Sequence, residues 1–125
     1  MKRLLALVLV SMLVASLLAG CGGVKTYLDA EKTINTGVNQ EFVIALDSNP
    51  TTGYGWEESY DDSVLNLVDD RYEPDEKAAG LVGAGGTQYF QFEALKAGQT
   101  EITLVYKRHW ETEILEQKVF NVDIK

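Results

Sequence analysis

The chain has few of the residues on which catalytic and metal sites depend. Its 125 residues include one cysteine, Cys21, and one histidine, His109. An intrachain disulfide is therefore impossible, and so is a metal site built from several histidines. No nucleophile-elbow pattern surrounds a serine, and no Asp-x-Asp-x-Asp-Gly calcium loop is present. We expect a protein that acts by binding, without enzymatic activity, metal or cofactor. An enzyme centred on His109 is the catalytic alternative.

Positive charge is also scarce. The chain has 11 Lys and Arg against 19 Asp and Glu, which gives a formal net charge of −8. Lys2 and Arg3 are the charged residues among the first twenty, so without residues 1–20 the net charge becomes −10. A domain this acidic repels nucleic acid and anionic lipid, and neither is expected as a partner.

The N-terminal segment has the pattern of a secretory signal. Lys2 and Arg3 precede an apolar run over 4–18, which is too short to predict a spanning helix. The run ends in Leu-Ala-Gly-Cys at 18–21, which resembles the bacterial lipobox. That resemblance implies cleavage before Cys21, diacylglycerol on its thiol and acylation of its amine, as by palmitate. We expect a signal peptide over 1–20, a lipidated tether over 21–32, and a lipoprotein on the outer membrane or the outer face of the cell membrane. The alternative is a free thiol at Cys21 after an uncleaved anchor.

Apolar and polar residues alternate with a period of two in several short stretches of the remaining chain. The clearest are 42–46, 89–94, 102–106 and 120–124, separated by turn-forming residues. No convincing amphipathic helix accompanies them. The pattern predicts one all-β domain over 33–125, an immunoglobulin-like β-sandwich of about seven strands, with residues 24–39 as a linker and an edge segment. It does not determine the strand order.

Three loops are richer in sequence than a connection requires. In an immunoglobulin-like sandwich the loops between alternate strands lie at the same end, so these three would form one binding edge. Their residues are Asn49-Pro50-Thr51-Thr52-Gly53, Gly83-Ala84-Gly85-Gly86-Thr87 and Arg108-His109-Trp110.

The three motifs NPTTG, GAGGT and R-x-W occur in the order and spacing of one known family. The chain resembles the chagasin family of protein inhibitors of papain-like cysteine proteases, from about Thr33 to the C-terminus. The resemblance implies a monomeric, reversible, competitive inhibitor that inserts its loops into the protease cleft. Thr51 would approach the catalytic cysteine with Thr52 beside it, and residues 83–87 would lie along the non-primed side. Arg108 and Trp110 would pack on the primed side. The alternative is a non-inhibitory envelope lipoprotein that binds another envelope protein.

The first loop suits this role physically. Pro50 fixes φ and Gly53 permits a positive φ, so the loop can be rigid before it binds. A purely structural interpretation also exists for each motif: a tight turn, a flexible glycine loop, and an Arg108 that pairs with a neighbouring acid. His109 stands where the family has proline, which leaves Trp110 less preorganised. Since histidine changes charge near neutral pH, we expect some pH dependence of binding.

Overall fold

The period-two alternation becomes strands in the computed structural model, which describes residues 23–75 and 85–125. These residues form eight β-strands and one 3-10 turn over Pro50–Thr52, with no α-helix among them. The strands are β1 (Lys25–Tyr27), β2 (Ile34–Thr36), β3 (Glu41–Ser48), β4 (Tyr54–Tyr60), β5 (Leu65–Pro74), β6 (Gly86–Ala94), β7 (Gly98–Arg108) and β8 (Ile114–Ile124).

The strands are arranged in two four-stranded sheets. One has the order β1-β3-β6-β5 and the other the order β2-β8-β7-β4. β1 and β2 run parallel to their neighbours, whereas the remaining pairs are antiparallel. The predicted all-β class is confirmed. The count is eight instead of about seven because β1 and β2 have three residues each, too few for an alternating pattern to be recognised. The immunoglobulin-like type stays a prediction.

β1 lies inside the segment 21–32 that the sequence assigned to a tether. It pairs with β3, with Lys25 opposite Phe42, and the Tyr27 ring packs edge-on against the Phe42 ring at 6.4 Å. Strand pairing therefore begins at Lys25, before the predicted domain boundary. Residues 1–20 and Cys21 lie outside the described residues. Among the residues that the structure describes, no helix is long and apolar enough to cross a membrane.

The inward faces of both sheets share one core, because alternate residues of each strand point the same way. Trp56 of β4 belongs to this core, whereas Tyr54 is half-buried. Full burial of a Val, Leu, Ile or Phe side chain stabilises the folded state by about 1.5–3 kcal/mol. The largest fully buried side chains are Phe42, Phe90, Phe92, Phe120, Ile34, Ile44, Leu65, Ile102, Leu104 and Val122.

Candidate binding site

The strand register brings the three predicted loops to one end of the two sheets. Ser48, the last residue of β3, lies opposite Gly86, and Gly86 also lies opposite Pro74 at the end of β5. In the other sheet Tyr54 lies opposite Arg108. The β3–β4, β5–β6 and β7–β8 connections therefore leave the same edge, which is where the sequence predicted a binding tip.

The first loop, residues 49–53, is a turn closed by its own hydrogen bonds. Asn49 caps it: its Oδ1 accepts hydrogen bonds from the Thr51 amide at 3.3 Å and the Thr51 hydroxyl at 2.5 Å. The Asn49 carbonyl oxygen accepts from the Thr52 amide at 3.2 Å and the Thr52 hydroxyl at 2.6 Å. The Gly53 amide donates to the Pro50 carbonyl at 3.0 Å, with Gly53 at φ 83°. The backbone is thus folded and held before any partner arrives.

Both threonines have a role that the sequence interpretation missed. Turn statistics favour Asn, Pro and Gly, but threonine hydroxyls also bond to nearby backbone and side-chain acceptors and so stabilise turns. Thr51 and Thr52 are exposed, and their hydroxyl protons are used inside the loop. Each keeps a methyl group and a hydroxyl oxygen that can still accept a hydrogen bond.

Beneath the first loop, aromatic side chains stack from the core to the tip. The Trp56 and Tyr106 rings lie 4.9 Å apart, and the Tyr106 and Tyr54 rings lie 5.4 Å apart. The Arg108 guanidinium carbon then lies 4.6 Å from the Tyr54 ring centre. Stacked rings and a cation over an aromatic face both stabilise such a column. We call these four side chains the tip column.

The tip column contacts the first loop at two points. The Tyr106 hydroxyl accepts a hydrogen bond from the Asn49 amide at 3.0 Å. The Arg108 Nε donates to the Thr52 carbonyl oxygen at 3.1 Å. The motifs did not single out Tyr106. Its position could have indicated a structural role, because Tyr106 lies in the core-facing register near the end of a strand. A half-buried tyrosine hydroxyl there usually has a polar partner.

The third loop places an indole in solvent beside the first loop. Trp110 is 62% exposed, and its ring lies against Gly53. The His109 ring packs edge-on against the Trp110 ring, with centroids 4.7 Å apart. Arg108 also pairs with Glu111 at 3.4 Å, and the Glu111 amide donates to the Arg108 carbonyl to form the turn. Arg108, predicted as a contact residue, is therefore also a structural residue of its own tip.

The second loop is described in part. Gly83 and Ala84 lie outside the described residues, whereas Gly85, Gly86 and Thr87 enter β6. A Cβ on Gly86 would collide with the Glu73 carbonyl oxygen of β5. The resemblance implies that residues 83–87 face the protease. At Gly86 the space is taken by the protein's own strand.

The polar side chains of the described residues are hydrogen-bonded where they are buried, and they form no cluster that could hold a metal ion. Within 23–75 and 85–125 no group of three or more His, Cys, Asp or Glu side chains could hold a metal ion. Every buried side-chain nitrogen and oxygen in these ranges has a hydrogen-bond partner.

Taken together, two sheets with a shared core present a rigid turn, the end of a glycine-rich loop and an exposed tryptophan at one edge. Such an arrangement is typical of all-β proteins that carry loops on a rigid scaffold. The chain belongs to the chagasin family: the model described as chagasin family peptidase inhibitor I42 matches residues 35–124. That family consists of protease inhibitors, which agrees with the prediction of a protein that is not an enzyme.

Individual relatives agree with the family assignment. The chain is 33% identical over 99 residues to chagasin from Trypanosoma cruzi, covering 74% of this chain and 87% of that protein. It is 37% identical over 78 residues to amoebiasin-1 from Entamoeba histolytica, covering 62% of this chain and 72% of that protein. The crystal structure of a cysteine protease inhibitor from Entamoeba histolytica matches with a TM-score of 0.69 and 29% identity, covering 83% of this chain and 99% of that one.

Proposed function

We propose that this protein is a reversible, competitive inhibitor of papain-like cysteine proteases, whose loop tip occupies the active-site cleft. The loops concerned are 49–53, 83–87 and 108–110. One observation carries the proposal: the exposed turn at 49–53, closed by its own hydrogen bonds, lies beside an exposed tryptophan at the end where all three loops meet. A rigid tip loses little conformational entropy on binding, which favours affinity.

The turn is suited to fill a protease site without being cut. Cleavage requires a carbonyl carbon placed for attack by the thiolate and a carbonyl oxygen free to enter the oxyanion hole. In the first loop the carbonyl oxygens of Asn49, Pro50 and Thr52 already accept hydrogen bonds from the protein's own groups. The 3-10 backbone over 50–52 also differs from the extended form of a peptide substrate. Thr51 at the apex is small enough to approach a buried sulfur.

The neighbouring loops supply area and anchoring. Tryptophan and arginine are enriched among the residues that dominate binding energy, and Trp110 offers an exposed indole directly beside the turn. On the other side, the second loop ends where Gly86 of β6 lies opposite Ser48, so this loop would line the cleft next to the first loop. The first loop would therefore face the catalytic cysteine, with the other two loops on either side of it.

A titration against papain and a panel of related proteases tests this function. Wild-type protein is expected to inhibit competitively at micromolar concentration or below. Thr51→Ala and Trp110→Ala should each raise the inhibition constant about tenfold or more. Thr33→Ala, an exposed threonine outside the tip, is the matched control and should leave the constant unchanged. Absence of inhibition across the panel would rule the function out.

We also propose that Cys21 carries a lipid and holds the protein at the bacterial cell envelope. β1 runs parallel to β3, so Lys25 lies level with Phe42, at the end of the sheet away from Ser48 and the loops. A lipid attached four residues before Lys25 would therefore anchor the protein at the end of the sheet opposite the three loops and leave these loops free. Labelled palmitate should be incorporated into the wild-type protein and not into Cys21→Ser. Equal labelling of both would contradict the anchor.

A further inference from the structure

The first loop is held at both ends by one strand. Tyr106 and Arg108 are two positions apart on β7, so their side chains leave the same face. The Tyr106 hydroxyl receives the Asn49 amide proton at 3.0 Å, where the loop begins. The Arg108 Nε donates to the Thr52 carbonyl at 3.1 Å, where it ends. The turn is thus fastened to the scaffold at each side of its exposed apex.

We propose that Tyr106 is the positioning residue of the inhibitory loop: its hydroxyl, with Arg108, keeps residues 49–53 in a turn that a protease binds but does not cleave. This inference rests on the proposed function and adds to it a reason why the inhibitor is not a substrate. Tyr106 itself is half-buried below the tip and acts through Asn49.

The position of the Tyr106 hydroxyl is itself set by both sheets. Its ring stacks on Tyr54 and packs at a tilt against Trp56, and both contacts hold the ring in place. Trp56 is fastened to the opposite sheet, because its Nε1 donates to the Asp47 carbonyl at 2.8 Å. The Gln88 side chain of that sheet accepts from the Trp56 amide at 3.0 Å and donates to the Trp56 carbonyl at 3.1 Å. The hydroxyl is therefore a fixed point to which the loop can be attached.

Asn49 is the residue through which this fixed point controls the turn. Its side chain and its carbonyl oxygen together accept the amide and hydroxyl protons of Thr51 and Thr52. If Asn49 loses its hydrogen bond to Tyr106, it is held less firmly, and the four hydrogen bonds that it accepts from Thr51 and Thr52 are weakened. The backbone then samples more extended forms, in which a carbonyl can enter the protease's oxyanion hole. Cleavage would be ordinary proteolysis: one peptide bond and one water are consumed, and one carboxylate and one amine are formed.

Tyr106→Phe tests the inference, because it removes one oxygen and keeps the stacked ring. In the free protein we expect amide hydrogen exchange at Asn49 to become about tenfold faster, which corresponds to the loss of one net hydrogen bond. Against papain we expect a similar rise in the inhibition constant. Intact-mass measurement after prolonged incubation should show a cut within 49–53 in the variant and not in wild type. Tyr60→Phe, at the far end of β4, is the matched control and should match wild type in all three measurements.

A second variant tests the other end of the loop. Arg108→Lys keeps the positive charge but loses the Nε donor, so Thr52 should be released and the loop should again be cut. If Tyr106→Phe leaves the exchange of Asn49 and the inhibition constant unchanged, the inference is overturned. A uniform rise in exchange along the whole chain would also overturn it, since that indicates general destabilisation. If wild type inhibits no protease, the proposed function fails, and the exchange measurement alone still decides whether Tyr106 holds the loop.

Discussion

A Cβ built on Gly53 would lie 2.5 Å from Cη2 of Trp110. The indole of the third loop therefore occupies the space that a side chain at residue 53 would need. Gly53 also has φ 83°, a left-handed conformation that residues with a Cβ rarely adopt. The glycine of NPTTG thus serves both the turn and the packing of its neighbour, and it couples the first loop to the third.

Gly53→Ala should consequently disturb both loops. The strained φ and the collision with Trp110 are expected to lower the free energy of unfolding by about 1–2 kcal/mol and to weaken protease inhibition. Gly55→Ala is the matched control, because a Cβ there meets nothing within 4 Å and its φ is not positive. Chemical denaturation and an inhibition assay measure the two effects. Similar behaviour of the two variants would contradict the coupling.

A pH-dependent effect on stability is expected in the turn between β4 and β5. The Ser63 hydroxyl and amide donate to Asp61 Oδ1 at 2.6 and 3.0 Å, which lowers the pKa of this carboxyl below its ordinary value of 3.8. A carboxyl whose pKa is lower in the folded state contributes stability above the unfolded value and loses it as pH falls through the folded value.

Ser63→Ala should therefore lower the melting temperature slightly at pH 7, and the difference from wild type should shrink below about pH 3.8. The effect is small because the carboxyl is exposed. Ser59→Ala, an exposed serine in β4, is the control and should show no such pH dependence. A melting-temperature difference of equal size at pH 7 and pH 2.5 would refute the assignment.

His109 is expected to make inhibition depend on pH. Its ring contacts Trp110 edge-on at 4.7 Å, next to the turn closed by Glu111. A protonated imidazole at this position would place a positive charge against the indole. The inhibition constant should differ between pH 5.5 and 7.5 for wild type, after correction for titration of the protease. His109→Gln should remove the difference, and a constant that is equal at both pH values in wild type would exclude this role.

Most of the fold could be predicted from the sequence, and so could the meeting of the three loops at one edge. Period-two stretches predicted the long strands, and the motifs NPTTG, GAGGT and R-x-W predicted which connections share an edge. β1 and β2 were not predicted as strands because three residues carry too little pattern, and their structure depends on pairing with β3 and β8. The pairing order itself comes from long-range contacts that no local pattern records.

Within the site, side-chain partners were harder to predict than loop positions. The threonine hydroxyls close the turn, and Gly86 lacks a Cβ because β5 lies against it. Both features serve contacts inside the protein, whereas the motifs alone suggest contacts with a partner. Tyr106 was overlooked because it lies two positions before the R-x-W motif and reads as an ordinary strand residue. Its importance depends on Asn49, which is 57 positions away. A motif indicates which residues a loop presents to a partner. The side chains that hold the loop in place can be identified only from the folded structure.

The two tryptophans should separate stability from binding. Trp56 is 5% exposed and its indole nitrogen donates to the Asp47 carbonyl at 2.8 Å, whereas Trp110 is 62% exposed. Trp56→Phe removes the donor of that hydrogen bond and makes a buried ring smaller, so it should lower the free energy of unfolding by about 1–3 kcal/mol. Trp110→Phe should change it by no more than about 0.5 kcal/mol.

In the inhibition assay Trp110→Phe should nevertheless raise the inhibition constant about tenfold, because it replaces the indole that would anchor the third loop in the cleft with a smaller ring. Urea denaturation and inhibition measured on the same two preparations make the comparison. If Trp110→Phe lowers the free energy of unfolding as much as Trp56→Phe does, the Trp110 indole stabilises the fold. The proposal that the third loop contributes to protease binding would then be contradicted.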